Sequence, residues 1–346
     1  MGGSYSAPAA VATSAAFTDL CASLPAMRGK VVAVTGCTTG TGLVLARICA
    51  ERGARVLMLN RASPRAETAL QQLSAIPGAG QVSFVECDLS SFASVRQAAA
   101  KIKEELGDSG LDVLCNNAGV MALPDAATID GCCVQMQTNH LSHFLLTAEL
   151  WPLLEKAAAA AGEARVVNHS SQPTRPENTP LMAESFGKNG GNLGGDASGW
   201  VPFTGPRWRR YQQSKLANVV FTSALRDKQP AGDSKIKIKA LVAHPGLAAT
   251  NLQVTSATAG GMSNFMAKTF MGTTAQSAED GAMGIIRCCC EATAIDGAFY
   301  GPSGMSGPAV LMPEEPLADT AAREMLWTAS MAVTGARFPF GRTSCL

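Results

Sequence analysis

Short apolar runs separated by amphipathic stretches set the rhythm of this chain. Lys30-Val31-Val32-Ala33-Val34 is a compact, mostly β-branched run. It reads as a strand buried on both faces. A small-residue loop follows, then a helix-like stretch from Leu43 to Arg52, closed by Gly53 where a helix end favours glycine. Arg55 to Asn60 reads as a second strand, Pro64 to Ser74 as a polar helix, Val82 to Cys87 as a third strand and Phe92 to Leu106 as a helix. Leu111 to Cys115 and Arg165 to His169 are the expected fourth and fifth strands, with a long helix from about Gly131 to Glu155 between them. Strand–helix alternation at this spacing predicts right-handed βαβ units: an α/β fold with a parallel sheet covered on both faces.

The rhythm breaks between residues 172 and 208, where Pro, Gly and Asn dominate around Gly190-Gly191-Asn192-Leu193-Gly194-Gly195. A loop this long inside a compact domain is usually functional or disordered. Regular patterning resumes with a helix from Trp208 to Asp227 and a strand from Ile236 to Val242. A helix from Ser277 to Glu291, a short strand from Ala298 to Tyr300 and a last helix from Ala318 to Ala332 complete the pattern. About seven strands therefore form one doubly wound sheet, in a single domain over residues 29–335. Residues 1–28 read as a flexible tail with one short helix, Phe17 to Leu24, and 336–346 as a C-terminal tail. Residues 251–272 carry Met262, Phe265, Met266, Phe270 and Met271, a composition that suits a pliable apolar pocket.

Charge and composition narrow the partners. The chain has 346 residues, 47% of them hydrophobic, which suffices for one large core. Twenty-eight basic against 27 acidic residues give a formal charge of +1, with no basic excess to hold a nucleic acid. The 11 cysteines include Cys132-Cys133 and Cys288-Cys289-Cys290, awkward for disulfides and better read as apolar fillers in a reducing compartment. No run approaches the ~18 apolar residues of a membrane span. The N-terminus lacks a basic start and a long apolar stretch, so cytoplasm or an organellar stroma is expected rather than secretion. Gly2 with Ser6 fits the N-myristoylation pattern, which keeps peripheral membrane contact open. His140, His143, His169 and His244 show no metal-ligand spacing, and no metal is expected.

The chemistry-bearing motifs fall at the strand ends. Thr35-Gly36-Cys37-Thr38-Thr39-Gly40-Thr41-Gly42 leaves the first strand and opens the first helix. Gly36 permits the turn, Gly40 lets a pyrophosphate approach, and Gly42 lets helix and strand lie close. Phosphate oxygens would sit at the helix N-terminus, where N–H groups are unpaired. The second strand ends Asn60-Arg61, with no acid to bond a ribose 2′-hydroxyl. Arg61, with Arg65 nearby, instead suits a 2′-phosphate, so NADP(H) is the expected cofactor. Asp88-Leu89 and Asn116-Asn117-Ala118-Gly119 follow the third and fourth strands. Asp88 can accept from the adenine amino group or cap the next helix, and the small residues Ala118 and Gly119 let a cofactor ribose pass close. Tyr211 and Lys215 lie one turn apart on one helix face.

Taken together these motifs, with Asn139, Ser170-Ser171 and Pro245-Gly246, resemble the short-chain dehydrogenase/reductase family over residues 29–300. The runs Thr138 to Thr147 and Tyr211 to Asn218 resemble its retinol dehydrogenase, WW-domain oxidoreductase and light-dependent protochlorophyllide reductase branch. The resemblance implies a Rossmann-type sheet and hydride transfer with NADP(H) on a small lipophilic substrate. It implies Tyr211 as proton donor and Lys215 on the nicotinamide ribose, its charge favouring tyrosinate. It also implies Ser171 on the substrate oxygen, Asn139 holding a backbone-linked water that relays protons to Lys215, and Pro245, Gly246 and Thr250 at the nicotinamide carboxamide and diphosphate. The helices around 131–155 and 208–227 commonly build dimers or tetramers in this family, which makes a homodimer one expectation. Arg207, Arg209 and Arg210 read as surface charge. Two activities follow: carbonyl/alcohol interconversion and, as the alternative, light-driven double-bond reduction. A third reading, a non-catalytic NADP-binding regulator, has no use for Tyr211, Lys215, Ser171 and Asn139 together.

Overall fold

A computed structural model of the chain describes residues 11–171, 180–197, 201, 203–229, 237–261, 275–312 and 320–340. Eight strands form one sheet: β1 (Val31–Thr35), β2 (Arg55–Asn60), β3 (Val82–Glu86), β4 (Val113–Asn116), β5 (Glu163–His169), β6 (Lys237–Ala243), β7 (Phe299–Pro302) and β8 (Ala309–Leu311). Their order is β3-β2-β1-β4-β5-β6-β7-β8, and every pairing is parallel except β7 with β8. The expectation of about seven strands falls short by this antiparallel edge. It is three residues long, with Val310 and Leu311 exposed, and sits in a Gly/Pro-rich stretch that reads as loop.

Side chains alternate across the sheet and feed two apolar layers. One face gives Ala33, Leu57, Leu59, Leu114, Val166 and Ala240 to helices α4 (Phe92–Leu106), α5 (Ser142–Ala161), α6 (Pro206–Lys228) and α9 (Thr320–Thr334). The other gives Val32, Val34, Val56, Met58, Cys115 and Leu241 to helices α1 (Ala15–Ser23), α2 (Gly40–Glu51) and α8 (Ala278–Cys290). Helix α3 (Pro64–Ser74) follows β2, and α7 (Asn251–Thr258) follows β6. Every described cysteine is a free thiol, and most lie in these layers. Among the described residues no helix is long and apolar enough to cross a membrane.

Both ends of the chain are better anchored than expected. In α1, Phe17 and Leu20 are buried, and the Ser14 hydroxyl donates to Asp280 at 2.6 Å. The N-terminal tail is therefore pinned to α8 from Ser14 onward, while the Gly2 motif lies outside the described residues. At the C-terminus Phe338 and Phe340 stack with Trp151 and Trp327, so 336–340 closes the core rather than trailing as a tail. Spaced aromatics next to Gly335 and Pro339 give no periodic signal, which is why pattern reading misses them. The expected 131–155 helix starts as one turn, Val134–Met136, passes through a π-helical turn, Gln137–Leu141, and continues as α5. The π turn contains Asn139. Inserted turns of this kind often mark functional positions.

Candidate active site

The strand order reverses between β1 and β4, so the crevice beyond their carboxyl ends is the expected ligand position. The loop after β1 and the loop after β4 interlock there. The Thr35 hydroxyl accepts from the N–H groups of Asn117 and Ala118, both at 3.0 Å. Asn117 Nδ2 donates to the carbonyls of Thr35 (2.9 Å) and Gly36 (3.1 Å), while its Oδ1 accepts from Thr41 Oγ1 (3.1 Å). Two glycines are forced by this interlock. A Cβ on Gly42 would stand 2.3 Å from Asn117 Nδ2 and 2.4 Å from Gly36 O, and one on Gly36 would meet Ala118 at 2.8 Å. Thr250, at the start of α7, covers the loop from the other side, 3.2 Å from where a Gly40 Cβ would be.

This cradle fits a dinucleotide. Thr39 is the N-cap of α2, yet its side chain makes no capping bond, leaving the first-turn N–H groups for an anion. Asn60 is turned back onto the loop: its Oδ1 accepts from Cys37 N at 2.9 Å. The end of β2 thus offers no ribose acceptor and presents exposed Arg61 beyond it. Thr38 is half-buried in the same loop. Asp88 is engaged locally, its Oδ1 accepting from Ser90 N (2.9 Å) and Oγ (2.8 Å). Leu89 is core, with its carbonyl taking the Ser142 hydroxyl at 2.7 Å. Pro245 O accepts from Gln276 Nε2 (2.6 Å), and Gly246 bends at φ 60° against Met305 O, 2.5 Å from its would-be Cβ.

The four expected catalytic residues come together next to this cradle. Tyr211 is buried, and Ser171 stands beside its hydroxyl. The neighbouring Ser170 points elsewhere, donating to Lys215 O at 2.8 Å. Lys215 is buried; its Nζ donates to His169 O at 3.0 Å and lies 3.0 Å from where a Cβ on Gly119 would be. Gly119 is therefore small because the lysine needs its space. Asn139 clasps Val120, accepting from its N–H (2.7 Å) and donating to its carbonyl (2.9 Å) and to Ser214 Oγ (2.8 Å). The Asn139 carbonyl receives His143 Nδ1 at 3.0 Å, and His143 Nε2 meets the Thr35 hydroxyl at 2.9 Å. With Nδ1 as donor, Nε2 must accept from Thr35. One imidazole thus ties the π turn to the cofactor loop.

Burial sets the charge states. It pushes the Lys215 ammonium down to about 8. It also raises the Tyr211 hydroxyl, which Ser171 partly offsets. The expected lowering of Tyr211 by Lys215 is not seen: the ammonium bonds the His169 carbonyl, and desolvation dominates. His169, lowered to about 3, and His143 and His244, each to about 4, are held neutral by desolvation. Around Tyr211 stand Met121, Ala122, Trp208 and Ala257, with Phe203 and Leu252 packed against them. Of the expected pliable segment, 262–272 lies outside the described residues. Arg210 corrects the reading of surface charge: it is 6% exposed, donating to the carbonyls of Leu193 (3.0 Å) and Gly195 (2.9 Å). Ser214, His143, Asp125, Arg210 and Gln213 all support the site, and single-sequence reading misses them. The one signal was the repeat of His143 four residues after Asn139, on the same helix face.

Comparison with known proteins agrees with this geometry. Residues 30–190 match the family model of short chain dehydrogenases. The short-chain dehydrogenase/reductase drtF of Aspergillus calidoustus is 35% identical over 236 residues, covering 66% of this chain and 70% of that protein. Human retinol dehydrogenase 13 is 36% identical over 233 residues, 67% of this chain; the match spans 63% of the relative, under two thirds of its length. A solved structure of an uncharacterised protein from Mycobacterium paratuberculosis superposes with a TM-score of 0.68 at 34% identity, covering 92% of this chain and 98% of the other. The chain is similar to retinol dehydrogenases, and it belongs to the short-chain dehydrogenase/reductase family of nicotinamide-dependent oxidoreductases.

Proposed function

We propose that the chain is an NADP(H)-dependent oxidoreductase that interconverts a carbonyl and an alcohol on a lipophilic substrate, of the retinoid, steroid or fatty-aldehyde type. The observation that carries this reading is buried Tyr211, with Ser171 beside it and Lys215 one turn on, set among Met121, Ala122, Trp208, Phe203 and Leu252 beside the glycine cradle. The cofactor, when bound, supplies or accepts the hydride. Its phosphates would be held by the first turn of α2, with Arg61 at the 2′-phosphate and Lys215 at the nicotinamide ribose. In reduction, Ser171 donates a hydrogen bond to the substrate oxygen, and Tyr211 delivers its proton to that oxygen as negative charge develops. In oxidation the same hydroxyl, deprotonated, takes the alcohol proton. The oxidised nicotinamide, when bound, would supply positive charge that favours tyrosinate, and Lys215 would hold the ribose that places it. Asn139 fixes the floor of the site through Val120 and Ser214. Apolar surroundings desolvate the reacting oxygen, which strengthens each of these contacts.

The test is NADPH oxidation in the dark with retinal, a steroid ketone and a long-chain aldehyde. Turnover of at least one is expected. Tyr211→Phe should lower kcat by about 10²- to 10⁴-fold, the range a positioned proton donor contributes, while the protein still binds NADPH. No turnover in the dark, with reduction of a tetrapyrrole double bond only on illumination, would replace this reading by the light-driven one.

A further inference from the structure

The loop that follows β4 is clamped at both ends, and one imidazole joins the clamps. At its start, Thr35 Oγ1 accepts from Asn117 N and Ala118 N, both at 3.0 Å. At its end, the Asn139 amide takes both polar groups of the Val120 backbone, accepting from N at 2.7 Å and donating to O at 2.9 Å. Between the clamps lies Gly119, where a Cβ would stand 3.0 Å from Lys215 Nζ and 3.2 Å from Asn139 Oδ1. His143 is 1% exposed and spans the two clamps, with Nδ1 at the Asn139 carbonyl (3.0 Å) and Nε2 at the Thr35 hydroxyl (2.9 Å). The proton count closes on one tautomer. A carbonyl only accepts, so Nδ1 carries the hydrogen. Thr35 uses both lone pairs on two N–H groups, and its own hydrogen goes to Nε2 at 2.9 Å rather than to Cys115 O at 3.5 Å.

We infer that His143 is a positioning residue: by joining Thr35 to Asn139 it closes a hydrogen-bonded ring around Asn117–Val120 and fixes where that loop stands against Lys215 and the cofactor. The inference rests on the function proposed above, in which the nicotinamide ribose passes this loop and Lys215 holds it. Filling a core position asks for no polar atom, and a phenyl ring would do it without the cost of burying two nitrogens. His143 instead has both nitrogens bonded, whereas His169 and His244, also buried, each leave Nε2 without a partner among the described residues. The Asn139 carbonyl belongs to the π turn, Gln137–Leu141, and His143 to the regular helix α5 beyond it. The bond between them therefore stitches the irregular turn to the helix. Burial brings the imidazole down to about 4, so at neutral pH the ring is uncharged and keeps one donor and one acceptor.

The experiment replaces His143 by Phe, Asn and Gln. Phe keeps a ring and loses both bonds. Asn is long enough to restore donation to the Asn139 carbonyl, and Gln to restore an acceptor for Thr35. The readouts are NADPH affinity, by fluorescence titration, and kcat with the best of retinal, a steroid ketone and a long-chain aldehyde. His143→Phe should lower both, each by about tenfold, the effect of leaving a buried partner unbonded. His143→Gln should recover affinity more than kcat, and His143→Asn kcat more than affinity. A residue that only fills space would rank the variants by bulk, with Phe best. That order overturns the inference, as does equal loss in all three. Because a buried substitution can unfold the chain, a second measurement uses wild type: nitrogen-15 NMR of the ring at neutral pH, which should show Nδ1 protonated and Nε2 bare. A protonated Nε2 overturns the inference without any variant. Affinity and tautomer are read without a carbonyl substrate. A wild type that binds NADPH yet reduces none of the three overturns the proposed function, and this inference is then decided by those two readouts.

Discussion

The two sides of the site are held by different forces. On the cofactor side close approach leaves no space for added atoms: Gly36 lies against Ala118, and Gly42 leaves no room for a Cβ beneath the Asn117 side chain. Across the helix that carries Tyr211, long polar side chains grip distant carbonyls and N–H groups, as Arg210, Gln213 and Asp125 do for residues 180–197. The first arrangement tolerates only one residue type at each position. The second asks for a polar side chain of sufficient reach, with partners 15 to 70 residues away in the sequence. The cofactor side is therefore the more brittle to substitution and the easier to recognise.

The largest effect should come from Gly42→Ala. The added methyl must displace Asn117 Nδ2 or the Gly36 carbonyl, and the whole interlock depends on Asn117. Forcing a methylene into a packed site of this kind costs about 1–3 kcal/mol, and loss of the interlock should cut NADPH affinity about 100-fold. Fluorescence titration with NADPH and a thermal melt measure both. Affinity within a few-fold of wild type would break the comparison. Arg61→Asp should do less, because Arg61 is exposed and, in the proposed function, would meet only one end of the nucleotide. Removing a charge-assisted bond to phosphate is worth about 1.5–3 kcal/mol, so NADPH should lose roughly tenfold to 100-fold relative to NADH. Parallel titrations with the two nucleotides decide it.

These differences explain what was legible in the chain. The βαβ rhythm and the glycine loop were readable because both are local: burial on two faces selects β-branched runs, and close approach selects glycine. Tyr211 and Lys215 were readable because one helical turn fixes their relation. Arg210 was misread because nothing local separates a solvated arginine from one gripping Leu193 O and Gly195 O. The π turn at Gln137–Leu141 was invisible because Asn139, His143 and Val120 specify it through contacts across the crevice. The antiparallel strand β8 was lost because its apolar signal spans three residues between glycines and prolines. Phe338 and Phe340 were lost for the opposite reason: strong apolar residues with no period to announce their burial.

The smallest effect is a pH dependence at the residue both sides share. Lys215 is brought down to about 8 by burial, so its ammonium, the form that would donate to a ribose hydroxyl in the proposed function, loses its proton as pH rises through that value. kcat/KM for NADPH reports groups of the free enzyme. It should be level below about pH 7 and fall towards tenfold per unit above about 8. The alkaline limb must not be confused with unfolding. Burial raises the thiols of Cys37, Cys87, Cys115, Cys288 and Cys289 above their ordinary 9.0. Above about 9 the unfolded chain ionises these thiols while the native one keeps them protonated, so stability is lost as pH rises beyond that point. Between 7 and 8 the thiols stay almost wholly protonated in both states, and a decline that reverses on return to pH 7 belongs to Lys215. A profile flat from 6.5 to 9 would show that the lysine keeps its charge in place and that the cofactor side depends on its backbone cradle alone.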